Sequence, residues 1–197
     1  GYTGYTPGSI ATNFPIMSQW PMIPDEPPPT VEIIIAKFTE ILDELGDTGV
    51  LSHLNDFSAF MDSNYQAFYG TFVAQKAFFQ LSNNQLTGMT QAAYLTALDS
   101  LLTVYGDVLW GINLCVEITP AQLITHAGTL QLAHLAVKAA YPGIQTSISF
   151  LLDQAVYDGT VTTCSEGIAV LVDQIGISYY PSVWGTDIAD ITRERIS

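Results

Sequence analysis

Proline placement constrains this chain more than any other feature. Seven of the ten prolines fall within residues 1–29, and only Pro120, Pro142 and Pro181 lie beyond. Proline has no backbone N–H and its ring clashes with the preceding helical turn, so residues 1–29 are predicted to be extended. The run Pro27-Pro28-Pro29 favours polyproline II backbone. Large side chains are interleaved with these prolines: Tyr2 and Tyr5 in a doubled Gly-Tyr-Thr opening, then Phe14, Trp20 and Met22. An extended arm with such anchors is expected to lie on a surface, its own or a neighbour's. The chain thus divides into an arm, residues 1–29, and a second unit, residues 30–197.

From Thr30 onward the apolar spacing is read as helical. Val31, Ile34, Ile35, Phe38, Ile41, Leu42 and Leu45 recur at the three-to-four spacing of one helix face, and Gly46 and Gly49 end it. Further helices are predicted over about 50–81, 90–116, 119–140, 144–157 and 163–175. Thr119-Pro120 is a cap followed by proline at the first helical position, and Thr163 with Glu166 has the spacing of a capping box. No segment alternates with period two for long enough to suggest a sheet. The expected fold is therefore all-α: a bundle of five to seven helices carrying an extended, proline-rich N-terminal arm.

Charge excludes several function classes. Nineteen Asp and Glu face five Lys and Arg, for a formal net charge of −14. Such a chain has no basic surface with which to displace counterions from phosphates, so nucleic acid is not an expected partner. No long uninterrupted apolar run suggests a transmembrane segment. Only 12% of residues are charged, against 48% hydrophobic, so uncharged polar side chains must do much of the solvation. A surface of that kind suits packing against copies of itself.

Cys115 and Cys164 are the only cysteines. An even pair, in a chain that begins at Gly1 and reads as processed, suggests one disulfide and an extracellular location, with a virion or particle surface as the lesser option. Closing a loop of that size stabilises by about 4 kcal/mol through loop entropy.

The motifs of nucleotide-binding loops, zincins, nucleophile elbows and CxxC redox sites are all missing, so no catalytic residue, metal site or cofactor is predicted. His126 and His134 lie roughly 12 Å apart along one predicted helix, too far to share a metal ion. His53 is the third histidine, and Asp43, Glu44 and Asp47 read as a solvated acidic corner.

The densest remaining feature is aromatic. Phe57, Phe60, Tyr65, Phe68, Tyr69, Phe72, Phe78 and Phe79 fall on one side of the helix predicted there. Such a stripe is either a core or the lining of an apolar pocket; the pocket candidates are Phe57, Phe60, Tyr65, Phe68, Phe72 and Phe79. Two functions follow. The leading one is a secreted, non-enzymatic structural protein, a homo-oligomer or matrix or particle component, which assembles through its N-terminal arm. The alternative is a secreted carrier of a hydrophobic small molecule, a lipid or pigment, in an aromatic-lined helical cavity.

Overall fold

The computed structural model describes residues 16–19, 32–33, 35–36, 39–40, 49–71, 76–151 and 172–178. It overturns the expected all-α bundle. Six strands, β1 (Ile16–Gln19), β2 (Gly49–Asn55), β3 (Lys76–Leu81), β4 (Leu109–Asn113), β5 (Gln145–Leu151) and β6 (Gln174–Ser178), form one sheet. They lie side by side in chain order, and every neighbouring pair is parallel. Helices α1 (Phe57–Phe60) and α2 (Ser63–Thr71) join β2 to β3. Helices α3 (Asn83–Gly88) and α4 (Gln91–Tyr105) join β3 to β4, and α5 (Pro120–Ala140) joins β4 to β5. Glu32, Ile33, Ile35, Ala36, Thr39 and Glu40 are also helical, within the helix expected after Thr30. No helix among the described residues is long and apolar enough to cross a membrane.

The correction has a physical cause. Strands of a parallel sheet are commonly buried on both faces, and they then read as short apolar runs without clean alternation. In β3, Ala77, Phe79 and Leu81 are buried while Phe78 and Gln80 are only partly so. Yet Phe78 is as apolar as Phe79, and the period of two is hidden. Leu51, Leu54 and Phe57 imitate a helix face, although the first two belong to β2. The stretch expected as one helix over 50–81 is therefore β2-α1-α2-β3. The helix expected over 90–116 stops at Tyr105 and gives way to β4, and residues 145–151 form β5.

Where local signals were strong, the starts of α4 and α5 and the end of α5 fall as expected. The Thr90 hydroxyl accepts from the Ala93 N–H at the start of α4. Thr119 and Gln122 form a reciprocal capping box at the start of α5, with Pro120 in its first turn. Helix α5 ends at Ala140, before Tyr141-Pro142-Gly143.

Strand order decides where the helices go. Parallel neighbours need a crossover, and crossovers are almost always right-handed. When each one steps the same way along the sheet, the connecting helices gather on one face. The register shows which residues that face carries. His53 pairs with Phe79, Phe79 with Ile112, and Ile112 with Thr146. This face packs Phe79, Leu81, Ile112, Ile148 and Phe150 against Tyr94, Leu98, Leu101 and Tyr105 of α4 and Leu130, Ala133 and Val137 of α5. The second face carries Gln80, Asn113, Ser147 and Gln174 in one row across four strands.

At the N-terminal ends of the strands a charged clamp holds α5 to β5 and β6. Lys138 pairs with the Asp173 carboxylate and donates to the Ile144 carbonyl at 2.7 Å. The same carboxylate accepts from the Thr146 N–H at 2.9 Å, and His134 Nδ1 lies 2.8 Å from the Thr146 hydroxyl. Desolvation pushes the Asp173 carboxyl up, but the hydrogen bonds from Lys138 and Thr146, with the Lys138 charge, hold it below its ordinary range.

Candidate functional site

In a parallel sheet the C-terminal strand ends present the loops that lead into helices, and ligands of such folds bind there. In this chain those ends carry a connected polar network. Asn55 closes β2 and donates to the Tyr65 hydroxyl at 3.1 Å. Asp56 follows it and accepts from the Ser82 hydroxyl, which lies just beyond β3. The Gln85 side chain accepts from the Phe57 N–H at 3.2 Å. Asn83 and Gln122 form a reciprocal amide pair, at 3.0 and 3.2 Å. Gln122 also closes the capping box, accepting from the Thr119 N–H. The loops after β2, β3 and β4 are thereby tied into one surface.

The segment after β4 is the most constrained part of this end. Leu114 N–H donates to the Ser147 carbonyl, Val116 N–H to that of Leu81, and Ile118 N–H to that of Ser149. The segment therefore stays wedged between β3 and β5 beyond the end of the strand. Within it, Glu117 adopts a left-handed backbone conformation with φ 57°. Such backbone is costly for a residue with a Cβ and persists only where the surroundings enforce it. Here they do: the Glu117 N–H donates to the Ser149 hydroxyl at 3.2 Å, and its carbonyl accepts from Asn83 at 3.2 Å. Asn113 donates to the same Ser149 hydroxyl at 3.2 Å, and its side-chain oxygen accepts from the Cys115 N–H.

Among the described residues, the charged side chains at this end are acidic. Asp56 and Glu117 stand at the C-terminal strand ends. The only Lys or Arg side chains among the described residues are Lys76, at the start of β3, and Lys138, at the clamp. This end therefore offers amides, hydroxyls and carboxylates. No three His, Cys, Asp or Glu side chains among the described residues are grouped to hold a metal ion.

The sequence-derived candidates are placed elsewhere. Of the aromatic set, Phe57 and Phe60 sit on α1, Tyr65, Phe68 and Tyr69 on α2, and Phe79 on β3. They meet in the core beneath the helices rather than along one helix. Phe60 stacks on Phe79 with centroids 4.1 Å apart, and Tyr65, Phe68, Tyr69 and Phe79 meet His53 edge-on. Burial in this nest pushes the His53 pKa down to about 4. Phe72 lies outside the described residues.

Cys115 is a buried free thiol after β4, not at a helix end. Burial pushes its pKa up to about 12. Cys164 lies outside the described residues, as do the arm anchors Tyr2, Tyr5, Phe14, Trp20 and Met22 and the acidic corner Asp43, Glu44 and Asp47. Within the arm, Ile16–Gln19 are β1, paired with β2 of the same chain. His126 and His134 share α5 as expected.

Sequence reasoning missed the network at the C-terminal strand ends altogether, because residues separated by some thirty positions meet only once the strands are paired. One local signal was available: Thr119 with Gln122, three positions on, is a capping box, and it marks the loop that holds Glu117. No protein-family model matches this chain, and no curated protein matches it in sequence.

Proposed function

We propose that this protein binds a small, neutral, hydroxyl-rich ligand of the carbohydrate class at the C-terminal ends of β2, β3 and β4. The observation that carries this reading is the cross-linked polar surface there, with Glu117 pinned in a left-handed conformation between Asn83 and Ser149. Amides and carboxylates both accept hydrogen bonds from hydroxyls, and amides also donate to them. The described residues place no cation at this end to attract a phosphate or carboxylate.

The test is thermal unfolding with neutral disaccharides (cellobiose, maltose and lactose) against the corresponding sugar phosphates. The expected result is a rise in Tm with at least one neutral sugar, reduced by Asn83→Ala. A rise with the phosphates alone, or with none of these compounds, overturns the reading.

A second reading, self-association, is favoured by the outer side of α5. Ile124, Leu132 and Leu135 are large apolar residues exposed to solvent, and Ala121, Gly128, Ala136 and Ala139 lie exposed beside them. Part of the arm is already engaged as β1, so this reading moves the self-contact from the arm to the helix. Sedimentation of the wild type and of Leu135→Glu tests it. An oligomer that the substitution dissociates supports it, and a monomeric wild type removes it.

A further inference from the structure

The second face of the sheet holds four buried polar residues, Ser52, Asn113, Ser147 and Ser149. Three of them have partners. The Ser52 hydroxyl accepts from Gln80 at 2.8 Å, Asn113 donates to Ser149, and Ser149 also accepts from the Glu117 N–H. The fourth, Ser147, is 6% exposed, and its hydroxyl has no hydrogen-bond partner among the described residues.

A buried hydroxyl left without a partner costs about 1–3 kcal/mol, so natural sequences rarely keep one without a use. Alanine would fit the same strand position without that cost. The strand neighbours of Ser147 are polar. It sits between Asn113 of β4 and Gln174 of β6, with Gln80 of β3 next beyond Asn113. All four side chains are uncharged and able to form hydrogen bonds. Ser147 precedes Ser149 by two residues on β5, which sets it about 7 Å back from the level of Ser149 and Glu117. It is therefore one pleat repeat inside the edge surface described above.

We propose that the ligand seat continues from the C-terminal strand ends onto this second face, where the Ser147 hydroxyl makes a direct hydrogen bond to a hydroxyl of the bound neutral ligand. This rests on the carbohydrate-class reading of the strand ends. It adds a specific contact residue, and the row Gln80, Asn113, Ser147 and Gln174 as the floor. The orphan hydroxyl is then the part of the site that the ligand itself completes.

The test compares Ser147→Ala and Asn83→Ala with the wild type. Unfolding is followed without ligand, and affinity is measured by titration calorimetry with cellobiose, maltose and lactose. Without ligand, Ser147→Ala is expected to be at least as stable as the wild type, because it removes an unpartnered buried group. With ligand it is expected to bind about tenfold more weakly, the worth of one hydrogen bond. If Ser147→Ala binds like the wild type while Asn83→Ala is weakened, the Ser147 contact is overturned and the strand-end site stands. If Ser147→Ala loses stability without ligand, the hydroxyl already has a partner, such as a buried water, and the inference fails. If the wild type binds none of these sugars, the strand-end reading and this inference fall together.

Discussion

The two faces of the sheet are made by the same strands and differ in almost every other respect. One carries Phe79, Leu81, Ile112, Ile148 and Phe150 against the helices, packed ring to ring beside His53. The other carries Ser52, Gln80, Asn113 and Ser149, joined in pairs by side-chain hydrogen bonds that cross from strand to strand, with Ser147 among them. The first face stabilises through apolar area removed from water, a large and non-directional contribution. The second gains little from burial, because each polar group exchanges a bond to water for one of similar worth. What the second face acquires is direction: fixed donors and acceptors in a row. In this protein, apolar packing and side-chain hydrogen bonding divide across one sheet.

Substitutions separate the two faces, and the largest effect is expected on the apolar one. Phe79→Ala removes a fully buried ring that stacks on Phe60 and meets Tyr105 edge-on. It should cost about 3–5 kcal/mol in urea unfolding. A cost no greater than that of Ser147→Ala would erase the distinction between the faces.

Next in size is a pH effect from the same face. His53 is held neutral by burial, with a pKa near 4 against an ordinary 6.5. Below pH 6.5 the unfolded chain takes up a proton that the folded chain refuses, so folding stability falls as pH drops from about 6.5 to about 4. The shift corresponds to about 3 kcal/mol over that window. Urea unfolding at several pH values should show the slope, and His53→Phe should flatten it. Asp173 acts in the same direction at lower pH. Its carboxyl is held below the ordinary range, so its contribution is present above that range and lost as the carboxylate protonates on further acidification.

A smaller loss is expected where the apolar face meets the polar end. Tyr94 is buried on α4, and its hydroxyl donates to the Leu114 carbonyl at 2.7 Å. Tyr94→Phe leaves that carbonyl unpaired and should cost about 1–3 kcal/mol. It should also loosen the segment that carries Glu117, which amide hydrogen exchange at Val116 and Ile118 would report. Unchanged exchange there would show that the segment is held by β3 and β5 alone.

The smallest effect concerns Cys115. Burial keeps its thiol protonated at neutral pH, so it should resist alkylation in the native protein and react promptly in denaturant. Fast native labelling would contradict its place in the core. Failure to label in denaturant until a reductant is added would show that it is bridged to Cys164.

The legible parts of this chain were those whose signals are local. Thr119 caps a helix because its side chain reaches an N–H three residues away, a relation written within four consecutive positions. The buried residues of α4, Tyr94, Leu98, Leu101, Leu102 and Tyr105, recur at the three-to-four spacing of one helix face. In β5 a period of two was also present: Thr146, Ile148 and Phe150 fall on one face, Ser147 and Ser149 on the other. That alternation is only five residues long and was absorbed into a helix. In β3, Phe78 conceals the alternation because it too has a partner, Trp110, on the second face.

The amino-acid sequence by itself determined the start of α4, both ends of α5 and the negative charge that argues against a polyanionic partner. Tertiary structure alone decided that the aromatic residues form a nest round His53, and that Asp56, Ser82, Asn83, Glu117 and Gln122 share one surface. The physical reason is range. A cap or a helix face is an interaction among neighbours three or four positions apart. The polar surface exists only because β2, β3, β4 and β5, whose starts are spaced by roughly thirty residues as in repeated strand–helix units, pair in register and bring their last residues to one edge.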